Sequence, residues 1–513
     1  MKKLSRLTKV SLLLAILFGA EKLLSIARIM VVSRLFGLQG VLDAFNSANN
    51  IPDMIFMMIT GGALAIAFIP VLTEVLTEQG QQKAWDLFSS ILNITFIATA
   101  VIAVVVAFFA RPLVASQIGV APGFTAEQID LTAELMRLNL VATLIFSISG
   151  LVMAGLQANQ HFLLPALAPL LYSLGQIFGA LVLAPTEPIT FGPIRFPALG
   201  MGVQGLVYGV IIGALMHLLI QVPGLIKYHF KWKPVIDLKS EDTRKVLRLM
   251  VPRVLSMFCI MMIFNIQDNL GSRLPEGTVS AFVYGWWIMQ IPETLIGTAI
   301  ATAVLPTLAE YFSIGKMEDM RKQIERAGQV MLALTIPIAI IASVVIQPVV
   351  QGFLGFTPEQ SNMVAQVTRI FLVGIIGHSL VELFVRSFYA QQSPKYPLIG
   401  AFGTLIVYLA LGIGLMPIYK ANGIAAANTI AYALQAIFLH IMLNRKLEKP
   451  VILTQSFIRA TLGALIGGGA AYLLLNFMPG IKGGMIAAIL AFIAGILIAA
   501  ILIRKELRVL GSI

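Results

Sequence analysis

The sequence predicts an all-α integral membrane protein of fourteen transmembrane helices, two six-helix lobes from a parallel internal repeat plus two extra C-terminal helices. Three observations predict it. Of the 513 residues, 58% are hydrophobic and 12% charged, and the mean hydropathy is +0.90. An ordinary soluble domain is about 25% charged. Apolar runs long enough to span a bilayer, about 20 residues each, recur from one end of the chain to the other. The two halves also echo each other at a shift of about 235 residues, the signature of an internal duplication.

The spans fall near residues 9–37, 41–76, 82–110, 128–158, 162–184, 200–226, 244–272, 277–310, 325–352, 360–391, 394–418, 421–443, 454–477 and 483–503. The first is no cleavable signal, because its apolar run is long, broken by charge and without a small-residue cleavage pattern. The second and eighth are long and contain prolines, so kinks or breaks are expected in both; these are tolerated where a helix faces protein or a cavity. An even number of spans leaves both termini on one side. Lys2, Lys3, Arg6 and Lys9 open the chain, and Lys227, Lys231, Lys233, Lys239, Arg244, Lys245 and Arg248 follow span 6. Further clusters are Lys316, Arg321, Lys322 and Arg326, then Arg445, Lys446 and Lys449, then Arg504, Lys505 and Arg508. The opposite loops offer only Arg111, Arg195, Arg273, Lys420 and Lys482. The positive-inside bias makes both termini cytoplasmic. It also accounts for the net charge of +12 without any nucleic-acid partner, and leaves the basic loops able to meet anionic lipid headgroups.

Several function classes are excluded. No loop is long enough for a soluble catalytic domain, and there is no phosphate loop, no H-E-x-x-H and no Cys/His metal spacing. The lone cysteine, Cys259, forms no internal disulfide and packs in an apolar run. The chain is therefore no enzyme. It carries no cofactor, and any transport is driven by an ion gradient or the membrane potential, the ion unspecified.

The first span carries Glu21, Lys22, Ser25, Arg28 and Arg34. Charge near a bilayer centre costs a few kcal/mol or more and marks a task or a partner. Glu21, Ser25 and Arg28 share one helix face. They either line a hydrated, anion-binding cavity or neutralise one another inside the bundle.

The repeat aligns Ser33-Arg34-Leu35 with Ser272-Arg273-Leu274, Ile51-Pro52-Asp53 with Ile291-Pro292-Glu293, and Pro70 to Glu74 with Pro306 to Glu310. Arg137, Ala158, Gln160 and Pro165 match Arg369, Ala390, Gln392 and Pro397. Residues 1–235 and 236–450 thus form two lobes, and 451–513 an appendage. Parallel repeats of this kind place the substrate between the lobes. Spans 1, 2, 7 and 8 then bring Lys22, Arg28, Asp43, Asp53, Arg253, Asp268, Trp286, Trp287 and Glu293 to one cavity.

With those residues assembled, the chain resembles the MurJ/MviN family of lipid II flippases, in the multidrug/oligosaccharidyl-lipid/polysaccharide exporter superfamily. Ala27-Arg28, Arg34-Leu-Phe-Gly37, Asp43-Ala-Phe45, Ile51-Pro52 and Ala67-Phe-Ile-Pro70 carry the resemblance in the first half. Ser272-Arg-Leu-Pro-Glu-Gly-Thr-Val-Ser280, Ile296-Gly and Ala301-Thr-Ala-Val-Leu-Pro306 carry it in the second. The resemblance implies a transporter moving an undecaprenyl-pyrophosphate-linked peptidoglycan precursor from inner to outer leaflet by alternating access. It implies a bacterial inner-membrane protein, taken as a monomer, whose partners are the polyprenyl-linked saccharide, membrane lipids and peptidoglycan-synthesis enzymes. Lys22 and Arg28 match the family's basic pair on the first helix, and Asp43 its acidic residue opening the second. Spans 13 and 14 would form a groove for the lipid tail.

Phe56 and Trp287 stand where the family commonly has arginines, and Gly61 where it often has glutamate. Arg253 is the candidate replacement cation. Asp268 resembles a span 7 acid linked to sodium in some members, but span 11 lacks the polar partners, so no metal site is expected. The substrate-binding set is Lys22, Ser25, Arg28, Asp43, Arg253 and Trp287; Glu21, Asp53, Asp268 and Glu293 serve coupling or gating. Alternative roles remain open. Asp43 and Asp53 suit N-capping at breaks in span 2. Arg137 and Arg369 suit a shared structural salt bridge. His378, Glu382 and Arg386 suit a self-neutralised cluster more than a proton relay. Trp286 and Trp287 suit sugar stacking or core packing. Arg459 suits a lipid phosphate or snorkelling to the interface. Rival activities are flipping of another polyprenyl-linked oligosaccharide, and multidrug/cation antiport.

Overall fold

The structure, a computed structural model, describes residues 6–59, 63–191, 193–477 and 484–510. The side chains of 6–15, 18, 63–67, 191, 194, 252–253 and 509–510 lie outside that description. Arg253, Gly61, Lys482 and the basic residues of the N-terminal tail are among what is left out. The chain divides into two compact units, Met1–Asn269 and Leu270–Ile513.

The first unit contains α1 (Arg6–Phe36), α2 (Gly40–Ile59), α3 (Ala63–Glu78), α4 (Gln81–Phe108), α5 (Ala110–Ala115), α6 (Ala126–Ala158) and α7 (Leu163–Phe178). A π-helical turn, Gly179–Leu183, extends α7. A hairpin of β1 (Ile189–Phe191) and β2 (Ile194–Phe196) follows, with Thr190 opposite Arg195. Then come α8 (Gly202–Leu219), α9 (Val222–Lys227) and α10 (Glu241–Gly271). The hairpin is too short for the alternation that announces a strand, so no periodicity marks it in advance. Helix α6 is the hub, packed by α2, α3, α4, α5 and α8, while α1 lies on α7.

Helices α7 and α8 meet through glycines spaced by four. A Cβ on Gly175 would stand 2.4 Å from the Gly213 Cα, and one on Gly179 would stand 2.6 Å from the Gly209 Cα. Backbones approach this closely only where small residues face each other, the usual solution inside a bilayer.

The second unit contains α11 (Thr278–Glu293), a π turn (Thr294–Thr298), α12 (Ala299–Ser313), α13 (Met317–Leu354), α14 (Pro358–Ala390) and α15 (Lys395–Lys446). It ends with α16 (Thr454–Phe477), α17 (Met485–Leu502) and α18 (Arg504–Leu510). Here α14 is the hub, and α16 and α17 pack on each other and on α13. Helix α15 is interrupted at Lys420 by a left-handed residue (φ 52°, ψ −130°), so it covers predicted spans 11 and 12. Among the described residues eleven helices are long and apolar enough to cross a membrane. With α15 counted as two passes and with α1 and the α2–α3 pair, the elements are consistent with fourteen.

The duplication reaches fine detail. Helices α6 and α14 both open with a capping box, Thr125 with Gln128 and Thr357 with Gln360, each box satisfying two amides at the helix start. Both end in a left-handed glutamine, Gln160 and Gln392. Arg137 Nε donates to the Ala107 carbonyl at 2.9 Å, and Arg369 Nε to the Ser343 carbonyl at 3.0 Å. The repeat-related arginines therefore share a structural role, but through backbone acceptors; the salt bridge expected from the sequence is not their bond. A backbone carbonyl was available to each because the preceding helix runs alongside.

Candidate functional site

In the first unit the polar stripe of α1 stands beside α7. The Lys22 side chain is 75% exposed and ion-pairs with Glu21 at 3.6 Å, whose side chain is 21% exposed. An open pair of that kind is weak, so Lys22 is not locked away. Ser25 and Arg28 are half-buried. Arg28 acts electrostatically on Asp53 of α2 and Tyr172 of α7, and among the described residues no carboxylate is within ion-pair distance of it. The Tyr172 hydroxyl accepts from Gln176 Nε2 at 3.0 Å. Its ring edges onto Phe146, which in turn meets Phe56 at 5.2 Å between centroids. Phe56 thus extends an aromatic wall where the family commonly places a cation.

Asp53 is exposed, and α2 continues helically through Pro52 and Asp53 to Ile59. It therefore caps no helix start, contrary to the capping alternative. Asp43 lies inside the first turn of α2 and is buried, a position where its charge complements the helix dipole.

Asp43 is one of two neighbouring buried carboxylates, 2% exposed, with Asp268 at 4%. Asp268 Oδ2 accepts from Ser47 Oγ at 2.9 Å and Asn50 Nδ2 at 2.7 Å. The adjacent Asn49 Oδ1 accepts from Asn139 Nδ2 at 2.7 Å. Asn269 Nδ2 donates to the Gly119 carbonyl at 2.5 Å. The C-terminal end of α10 is thereby tied to α2 and to the loop before α6. Although the repeat assigns α10 to the second lobe, its bonds near Asp268 belong to the first unit.

Trp287 and Glu293 belong to the second unit. Trp287 is half-buried. Trp286 packs edge-on against Phe371 and His378, which is core packing. His378 bonds Asn428 Oδ1 at 3.2 Å and stacks on Tyr432, while Glu382 and Arg386 pair with each other. Glu293, the last residue of α11, is half-buried and folds back on the π turn, accepting from Thr298 Oγ1 at 3.3 Å. Glu382 and Arg386 both act on it electrostatically. Arg459 pairs with Glu506 Oε1 of α18 at 3.1 Å, which also accepts from Ser456 at 3.0 Å. The acid that captures it lies 47 residues on, beyond any local pattern. Glu74 of α3 ion-pairs with Lys245 of α10 at 2.6 Å.

Tyr172, Gln176, Ser47, Ser379 and Thr298 escaped the sequence reading. Neutral hydroxyl and amide groups in apolar helices carry no spacing signal. Only their place beside a charge distinguishes them.

Eleven helices long and apolar enough to cross a membrane among the described residues, with ionisable residues inside them, define the chain as a polytopic membrane protein. A family profile described as the lipid II flippase MurJ matches residues 32–502, and the chain belongs to that family. The lipid II flippase MurJ of Burkholderia cenocepacia is 26% identical over 435 residues, covering 83% of this chain and 81% of the relative. A probable lipid II flippase MurJ of Buchnera aphidicola is 24% identical over 459 residues, covering 88% and 85%. Among solved structures, a lipid II flippase MurJ in an inward closed conformation shares the fold with TM-score 0.78 at 19% identity, covering 96% of this chain and 98% of that one. An inward-facing multidrug resistance MATE transporter reaches 0.70 at 15% identity, covering 83% and 94%.

Proposed function

We propose that this chain flips lipid II, the undecaprenyl-pyrophosphate-linked peptidoglycan precursor, from the inner to the outer leaflet of the bacterial cytoplasmic membrane by alternating access. The observation that carries this is the state of α1: Lys22 open, and Arg28 half-buried beside Asp53 and Tyr172 with no carboxylate at ion-pair distance among the described residues. Cations held at reduced dielectric attract a diphosphate far better than cations in water. Lys22, Ser25 and Arg28 receive the diphosphate. Asp53 opposes Arg28 and favours release. Asp43 and Asp268 act in gating with Ser47 and Asn50. Both termini are cytoplasmic, no covalent chemistry is done on the substrate, and the protein works as a monomer driven by the membrane potential or an ion gradient. Peptidoglycan-synthesis enzymes are the expected partners.

Lys22→Ala and Arg28→Ala should each fail to support growth of a flippase-depleted strain at wild-type expression. Full growth of both overturns the proposal. The Phe56–Phe146–Tyr172 wall favours a second reading, in which weaker anion recognition suits another polyprenyl-linked oligosaccharide. Competition of unlabelled lipid-linked saccharides against fluorescent lipid II on the purified protein separates the two.

A further inference from the structure

Within the second unit, the two halves of α15, before and after Lys420, lie side by side and leave a groove of about 270 Å³ between them. Its lining residues recur at steps of three and four on both walls, from Gly400 to Val407 and from Ala431 to Phe438. The groove therefore runs along one face of each helix. Its rims are open: Ile399 and Leu434 are exposed, as are Phe402, Ile406 and Ile437 beside them. A Cβ on Gly403 would meet nothing within 4 Å.

One polar group is left over in this groove. Gln435 is 8% exposed. Its Oε1 accepts from Thr404 Oγ1 at 2.8 Å, and that hydroxyl also lies 2.9 Å from the Gly400 carbonyl. Among the described residues Gln435 Nε2 donates to nothing. A Cβ on Gly400 would stand 3.3 Å from that nitrogen, so a bare glycine gives the amide its place. Thr404 and Gln435 lie about 14–17 Å along their helices from Lys395 and Lys446, at about 1.5 Å per residue. That is well inside a hydrocarbon core about 30 Å thick. Water does not serve an amide at that depth, and a bond left unmade there is costly. Phospholipid ester groups lie at the edges of the core, so an acyl chain filling the groove brings no acceptor.

We propose that this groove docks one transmembrane helix of another membrane protein, a helix with small residues along one face and an Asn, Gln, Ser or Thr oxygen that accepts from Gln435 Nε2. Small residues let such a helix approach Gly403 closely, and interhelical hydrogen bonds add to packing inside the bilayer. A second copy of this chain does not fit the groove. A two-fold interface must be self-complementary, and a concave face set against its own copy leaves both grooves unfilled. The docking is independent of what the chain transports.

The test uses the purified full chain in phosphatidylcholine vesicles, with Cys259→Ser and a donor dye on Lys449→Cys. The probe is a leucine/alanine transmembrane peptide of about 20 residues with one central Asn and an acceptor dye, set against the same peptide without the Asn. The Asn peptide should give saturable energy transfer, and the apolar peptide should bind at least about threefold more weakly. Gln435→Leu should weaken the Asn peptide by about three- to thirtyfold, the range of interhelical bonds in membranes, and leave the apolar peptide unchanged. Gly403→Leu places its side chain in open space, so its fold is expected intact, and it should abolish binding of both peptides. No saturable binding of the Asn peptide, equal binding of the two peptides, or binding to Gly403→Leu within twofold of the parent chain overturns the proposal. So does a dimer of the chain in these vesicles that Gly403→Leu disperses, which would give the groove to a second copy.

Discussion

Arg28 is the most informative residue to change. It is half-buried, has no carboxylate at ion-pair distance among the described residues, and feels Asp53 at longer range. A charge-assisted contact to a phosphate oxygen contributes about 1.5–3 kcal/mol. At about 1.4 kcal/mol per tenfold, Arg28→Ala should weaken lipid II binding by roughly 10- to 150-fold. Arg28→Lys keeps the charge but loses the planar fork, so it should recover only part of that. Asp53→Asn removes an opposing charge and should tighten binding by about two- to fivefold, about 0.5–1 kcal/mol at the dielectric of a solvated pair. It should also slow transport, because release becomes harder. Fluorescent lipid II titrated into purified protein measures the first three effects, and a vesicle flipping assay the last. Binding by Arg28→Ala within twofold of wild type, or weaker binding by Asp53→Asn, would refute the reasoning.

Asp268→Ala strands the Ser47 and Asn50 donors, at about 1–3 kcal/mol for each group left unpaired, and should lower the thermal midpoint clearly; Asp268→Asn keeps an acceptor and should lose less. Gly209→Leu drives a side chain into the Gly179 backbone, since even a Cβ would lie 2.7 Å from the Gly179 Cα. It should abolish the monodisperse peak in size-exclusion chromatography, whereas Tyr208→Leu, on the exposed side of the same helix, should not. Arg459→Ala leaves Glu506, 4% exposed, without its counter-charge. Breaking a fully buried pair costs about 3–5 kcal/mol; with the Arg459 side chain 37% exposed, about 1–3 is expected after discounting for solvent screening. Glu506→Gln in the same chain should restore most of it in a double-mutant cycle of unfolding midpoints.

The membrane class and the order of spans were legible because hydropathy acts over whole helices. The described helices fall where the apolar runs do, down to the junction at Lys420 between predicted spans 11 and 12. Local grammar was legible too: Thr125-x-x-Gln128 and Thr357-x-x-Gln360 are capping boxes in any sequence. Within the site, the Glu21–Lys22 pair follows from adjacency. The Asp268 bonds to Ser47 and Asn50 do not, since their partners lie more than 200 residues away and serine and asparagine are unremarkable in either helix. Ser379 was equally silent. Its meaning comes from a glycine on another helix that leaves room for it. Phe56 was noticed as a departure, but only packing turns the missing arginine into an aromatic wall.

The duplicated motif Ile-Pro-acid shows how one scaffold came to hold two chemistries. Ile51-Pro52-Asp53 sits in a helix that continues unbroken to Ile59, so Asp53 projects from a regular face and meets the charge of Arg28. Ile291-Pro292-Glu293 runs into a π turn. The extra residue in that turn swings Thr294 and Thr298 back onto Glu293 and brings Gly297 under Ser379. The hub helices of the two units meanwhile keep the same capping box, the same arginine-to-carbonyl bond and the same left-handed terminal glutamine. Elements that carry only packing have been held, while the turn after the proline has diverged.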